Sequence, residues 1–196
     1  MPNLNALAPG SRFIHIVRNG VSVADYIAHY ANCGREHRIA DKRPYNTWWG
    51  VADNKWLALY AEGIARGYLP SDLPDDLSDL GRGTCEWIAS LEAVNDSRVA
   101  IADRLYELSY ESLLARPEPI LRELAQFLEL PDSDSWIVRS IRLLRPANHS
   151  QPDLVILPAC LVGPFNSWQD RLGYRQRART PTLAEGPGCY RAQDFT

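Results

Sequence analysis

The first apolar run, Arg12-Phe13-Ile14-His15-Ile16-Val17, is short, mostly apolar and β-branched. That pattern predicts a strand buried on both faces, as in a parallel sheet. Arg18-Asn19-Gly20 follows with turn chemistry, and Ser22 has an N-capping side chain, predicting a helix through about Asn32 with Gly34 as its stop. A strand, a tight turn and a helix in that order bring backbone N–H groups and the positive end of a helix dipole to the carboxyl end of a strand. Open α/β sheets bind ligands there. Arg18 stands at that edge.

From Gly34 to Asp79 the rhythm is lost. Arg35, Arg38, Lys42 and Arg43, the Trp48-Trp49-Gly50 run, Trp56, Tyr60 and Tyr68 form a long irregular excursion, with a short helix around Lys55 to Arg66. Loops of that length inside a compact domain serve as lids or binding segments, or their aromatics fill a satellite core. Pro70 to Leu80 is acidic and turn-rich and reads as a solvated connector. Helical spacing returns where Thr84 caps a helix through about Asn95, with Trp87, Ile88, Leu91 and Val94 on one face.

Tyr106-Glu107-Leu108-Ser109 predicts a second strand, with Tyr110 to Leu113 at its carboxyl end. Pro117 suits a first helical turn, and Ile120, Leu121, Leu124, Phe127 and Leu128 recur with helical period until Leu130-Pro131. A further helix begins at Asp134, carries Trp136, Ile137, Ile141 and Leu144, and stops before Pro146. Asn148 to Gly163 is a proline-bearing stretch with a short apolar run, and Phe165 to Tyr174 reads as a last short helix. Residues 1–174 are expected to form one domain and 175–196 a disordered tail, since no apolar periodicity survives beyond Arg175.

Composition narrows the class. With 196 residues, 45% of them hydrophobic and 23% charged, the chain can bury a sizeable core. No apolar run approaches the roughly 20 residues of a membrane span. A net charge of -3 offers no general attraction to nucleic acid, so an anion site must be built from a few placed residues. Cys33, Cys85, Cys160 and Cys189 are widely spaced and form no C-x-x-C pair, so no metal site is expected. Without a secretory pattern at the N-terminus, they read as reduced thiols of a cytoplasmic protein.

Phosphate-loop, dinucleotide, zinc-protease and serine-hydrolase motifs are all absent from the sequence. What remains is a spatial argument. In a parallel sheet, Arg18 after the first strand and Tyr110-Glu111 after the second would reach the same carboxyl edge. An arginine fork there suits a phosphate; equally, Arg18 could pair with Asp25 or Glu111 and fix the turn.

These residues resemble a known family. Arg12-Phe13-Ile14-His15-Ile16-Val17-Arg18-Asn19-Gly20 closely resembles the sulfotransferase stretch in which the arginine holds the 3′-phosphate of 3′-phosphoadenosine 5′-phosphosulfate. About ninety residues on, Tyr106-Glu107-Leu108-Ser109-Tyr110-Glu111-Ser112-Leu113, with Arg116-Pro117-Glu118 after it, is similar to a second family segment. Phe127-Leu128-Glu129-Leu130-Pro131 resembles the end of the helix that follows. Trp48-Trp49-Gly50, Trp56 and Cys85-Glu86-Trp87 match the bacterial and tyrosylprotein branch in order and spacing. The resemblance covers roughly residues 1 to 145.

It implies an α/β architecture: part of a P-loop-type three-layer fold, with a parallel central sheet flanked by helices. Met1-Pro2-Asn3-Leu4 resembles the segment preceding the 3′-phosphate strand. On that alignment the family's first strand and its 5′-phosphosulfate loop fall upstream, and turnover by this chain alone is not expected. The exposed sheet edge left behind would invite self-association.

The resemblance implies a nucleotide site of Arg18, Tyr26, Tyr110, Ser167 and Trp168. The family carries a serine eight residues after the arginine; here the position is Tyr26, whose hydroxyl can donate to a phosphate but from a longer arm. Tyr110 matches a tyrosine near the nucleotide, Ser167-Trp168 a late nucleotide contact, and Leu172-Gly173-Tyr174 the family's closing residues. The implied reaction is in-line transfer of a sulfuryl group to a hydroxyl or amine. It needs cations and N–H donors around the bridging oxygen and a base for the acceptor's proton. No residue here matches those central roles, and His15 reads as a satisfied strand histidine. Two other readings stand beside this one: a non-catalytic binding remnant of the fold, and a P-loop kinase-like nucleotide binder.

Overall fold

The computed structural model describes residues 9–41, 48–144 and 153–182, with backbone alone from 33 to 41. Met1 to Leu4, the side chains of Cys33, Arg35 and Arg38, Lys42, Arg43, Pro146, Cys189 and the last part of the expected tail lie outside the described residues.

The elements run β1 (Phe13–Val17), α1 (Gly20–Asp41), a 3₁₀ turn (Val51–Asp53), α2 (Asn54–Ala65), α3 (Asp79–Ser97), a second 3₁₀ turn (Val99–Arg104), β2 (Leu105–Ser109), α4 (Tyr110–Ala115), α5 (Pro117–Phe127), α6 (Asp134–Leu143), β3 (Leu154–Ile156), α7 (Ala159–Arg171) and β4 (Arg177–Arg179). The class is mixed α/β with parallel pairing: β1 lies beside β2 and β3 beside β4, as two separate two-stranded sheets. The chain divides into two compact units, 1–18 with 94–150 and 19–93 with 151–196.

In the first unit, β1 and β2 pair in register from Phe13↔Leu105 to Val17↔Ser109. Leu108 is buried with Leu113, Ile120, Leu121 and Ile137, and Tyr106, Trp136, Ile141 and Leu144 pack around them. The core is therefore β2 under α4, α5 and α6, the last two built on the helical spacing read from sequence. β1 is not buried on both faces: Ile14 is 42% and Ile16 54% exposed, because the helices cover β2. Directly opposite one another, His15 Nδ1 and Glu107 Oε2 lie 2.8 Å apart, and the Arg98 guanidinium donates to the same oxygen at 2.7 Å. His15 is thus a satisfied cross-strand partner.

Several boundaries move in the second unit. α1 starts at Gly20 because Asn19 caps it, its Oδ1 accepting from the Val21 amide at 2.8 Å and its carbonyl from Val23. Ser22 is instead buried inside the helix, which runs on through Gly34. α3 likewise starts at Asp79 and not at Thr84, since Ser78 Oγ accepts from the Gly81 amide. Thr84 sits mid-helix and donates its hydroxyl to the Leu80 carbonyl. Competing cap residues are close in propensity, and packing chooses between them.

The acidic connector before α3 is not wholly solvated, for Leu73 and Leu77 are buried, as is Leu69 just before it. α1 and α3 approach closely at Gly83, where a Cβ would stand 3.0 Å from the Ala24 carbonyl oxygen. A Cβ on Gly20 would stand 2.8 Å from both Trp87 and Phe165, whose ring centroids are 5.2 Å apart. α7 contains Pro164, just before the helix expected from Phe165 to Tyr174; the helix runs through it from Ala159 to Arg171. Arg177–Arg179, expected to be the start of a disordered tail, is a strand paired with Leu154–Ile156.

Candidate functional site

Val17 and Ser109 close the register of the parallel pair, so Arg18 and Tyr110 leave adjacent strands at the same carboxyl edge. Their side chains meet there, with the guanidinium carbon of Arg18 4.8 Å from the Tyr110 ring centroid. The chain turns directly into α4 because Ser109 caps it, accepting from the Ser112 amide at 3.0 Å. That cap fixes Tyr110 as the first residue of the helix, under Arg18. A guanidinium can bind a planar or tetrahedral oxyanion through paired hydrogen bonds.

Tyr26, Ser167 and Trp168 belong to the other compact unit. Tyr26, on α1, packs against Tyr30 and Trp48. Ser167 is exposed on α7. Trp168 is buried, its indole N–H donates to Glu92 Oε1 at 2.8 Å, and Arg171 covers its ring at 4.0 Å. Its polar atom is already satisfied within its own unit.

One residue of α7 that binds the start of α1 carried no sequence signal. Gln169, completely buried, accepts from the Gly20 amide through Oε1 at 3.1 Å and donates through Nε2 to Asn19 Oδ1 and the Gln176 carbonyl, each at 3.2 Å. The amides of Gly20 and Val21, expected to face a ligand, therefore already have side-chain acceptors. No local motif exposes this clamp, since its partners are 149 and 150 positions away. Asn19 itself was legible as a capping residue type.

Among the described residues no group of three or more His, Cys, Asp or Glu side chains is placed to hold a metal ion, and no helix is long and apolar enough to cross a membrane. Cys85 and Cys160 are free thiols. Burial, reinforced by Cys160, pushes the Cys85 thiol up to about 12, which removes it as a nucleophile at neutral pH. Comparison with protein-family models, with curated proteins and with solved structures returned no match.

Proposed function

We propose that the chain is a sulfotransferase-type protein that binds 3′-phosphoadenosine 5′-phosphosulfate, with Arg18 on the 3′-phosphate, in the service of sulfate transfer to a hydroxyl or amine. On this reading β1 and β2 are neighbours in the parallel sheet of a P-loop-type three-layer fold. The observation that carries it is the Arg18–Tyr110 pair at the carboxyl ends of two parallel strands. Those are two of the five residues that the resemblance assigns to the nucleotide, and they come from two separate segments.

The chemistry is consistent with a phosphate monoester. Its terminal oxygens accept from a guanidinium fork in two parallel hydrogen bonds, which a lysine cannot reproduce. Tyr110 restrains the guanidinium, so less side-chain freedom is lost when the anion arrives.

Calorimetric titration with 3′-phosphoadenosine 5′-phosphate tests the reading. Saturable binding is expected, and Arg18→Ala should weaken it by roughly 1.5 to 3 kcal/mol, the value of a charge-assisted contact. An unchanged Kd in the variant, or ATP binding without affinity for the 3′-phosphorylated nucleotide, would overturn it. Transfer of labelled sulfate from the donor to a panel of hydroxyl and amine acceptors then separates an enzyme from a binding protein.

A further inference from the structure

We propose that Ser109 is a positioning residue of the nucleotide site, setting where the Arg18 guanidinium points by fixing the Tyr110 ring beneath it. The inference rests on the nucleotide reading above and deepens it, because it assigns the aim of the arginine to a hydroxyl already engaged with Ser112. All the residues concerned lie in one compact unit.

Ser109 is the point where strand becomes helix. Its backbone is still extended, at φ -89° and ψ 141°, and it ends β2 in register with Val17. One residue later on each strand stand Tyr110 and Arg18. The Ser109 hydroxyl makes two contacts within the first turn of α4: its oxygen accepts from the Ser112 amide at 3.0 Å, and it shares a hydrogen bond of 2.7 Å with the Ser112 hydroxyl.

That hydroxyl matters more here than in a long helix. α4 runs for 6 residues, Tyr110–Ala115, too few to persist on backbone hydrogen bonds alone. Its far end is anchored by Leu113, which is buried with Leu108, Ile120 and Ile137. Its near end is anchored by the cap, and Tyr110 is the first residue inside it. Helix ends fray first where a cap is lost, so removing the hydroxyl loosens the turn that carries the ring while Leu113 stays packed. A loosened ring no longer restrains the guanidinium whose carbon lies 4.8 Å from its centre.

Because Ser109 acts through Tyr110, its loss should cost no more than loss of the ring itself, and the two losses should not add. 3′-Phosphoadenosine 5′-phosphate is titrated calorimetrically into wild type, Ser109→Ala, Ser109→Asn, Tyr110→Leu and the variant carrying both Ser109→Ala and Tyr110→Leu. Ser109→Ala should weaken binding by roughly two- to fivefold, the range set by the cation–ring contact. Ser109→Asn, whose amide oxygen restores a cap, should bind like wild type, and the double variant should bind like Tyr110→Leu. Without nucleotide, NMR follows the Arg18 Nε–H, which the ring shields. This resonance should move to the position of a solvent-exposed arginine in Ser109→Ala and Tyr110→Leu and return in Ser109→Asn, with the Leu113 methyl signals unmoved. Additive losses in the double variant, or an unmoved Arg18 resonance in Ser109→Ala, would refute the proposal. A wild type that binds no nucleotide overturns the nucleotide reading instead, and the resonance series still decides the role of Ser109.

Discussion

The guanidinium carbon of Arg18 lies 4.8 Å from the centre of the Tyr110 ring, each residue being the first after a strand of the same parallel pair. A cation held over a partly exposed ring gains about 0.5 to 1 kcal/mol, and the same contact restricts where the fork can point. On the proposed nucleotide reading, Tyr110→Leu should therefore weaken 3′-phosphoadenosine 5′-phosphate binding by roughly two- to fivefold, while Tyr110→Phe, which keeps the ring, leaves it near wild type. Calorimetry on the two variants decides; equal losses in both would transfer the effect from the ring to the hydroxyl.

Gln169 supports a different prediction, about stability. Truncating it to alanine leaves the Gly20 amide without its acceptor inside a packed junction and removes the link to Asn19. A buried unsatisfied donor costs about 1 to 3 kcal/mol, and the cavity adds to that. Urea unfolding of Gln169→Ala should show a midpoint lowered accordingly at unchanged slope. A wild-type midpoint would show that water replaces the clamp without loss.

Between Trp49 and α2 the backbone turns through the left-handed region at Ala52 (φ 51°) and Asp53 (φ 58°). Aspartate tolerates that conformation through local hydrogen bonding, but alanine incurs about 1 to 2 kcal/mol. Glycine relieves the strain and loses roughly 0.5 to 1 kcal/mol through its freer unfolded chain. Ala52→Gly should thus stabilise the protein, by up to about 1.5 kcal/mol on these figures, read as a rise in Tm. A lowered Tm would mean that the methyl group packs better than its exposed position implies.

Glu107 links stability to acid. Partial burial works against its charged form, yet the hydrogen bonds from His15 and Arg98 prevail and hold the carboxyl below its ordinary 4.5. A depressed folded-state value means that the unfolded chain binds the proton first as pH falls. The stabilisation is accordingly complete above the ordinary carboxylate range and is lost as pH drops through the folded value. Unfolding midpoints between about pH 3 and 6 should fall less steeply in Glu107→Gln than in the wild type. Parallel curves would remove this carboxylate from the acid response.

Much of the local structure was written in the residues. The β-branched run at 13–17 is a strand, Pro117 opens α5, and the helical spacing of Ile120, Leu121 and Leu124 marks a helix whose buried face is the core of its unit. Period and turn chemistry act within one or two helical turns, so they survive without tertiary context. The caps read at Ser22 and Thr84 fall instead at Asn19 and Ser78, because differences in capping propensity are smaller than the packing free energy that decides.

The pairing of Phe13–Val17 with Leu105–Ser109, anticipated as a parallel sheet, owes its register to tertiary structure alone, as do the strand at Arg177–Arg179 and the Gln169 clamp. The sequence by itself determined the strands β1 and β2 and the presence, though not all the bounds, of the main helices. Only the fold decided that Arg18 lies over Tyr110 while Tyr26 joins an aromatic cluster in the other unit. Contacts across ninety or more residues leave no periodic trace in the chain, since they depend on the cooperative packing of elements whose order is local but whose neighbours are not.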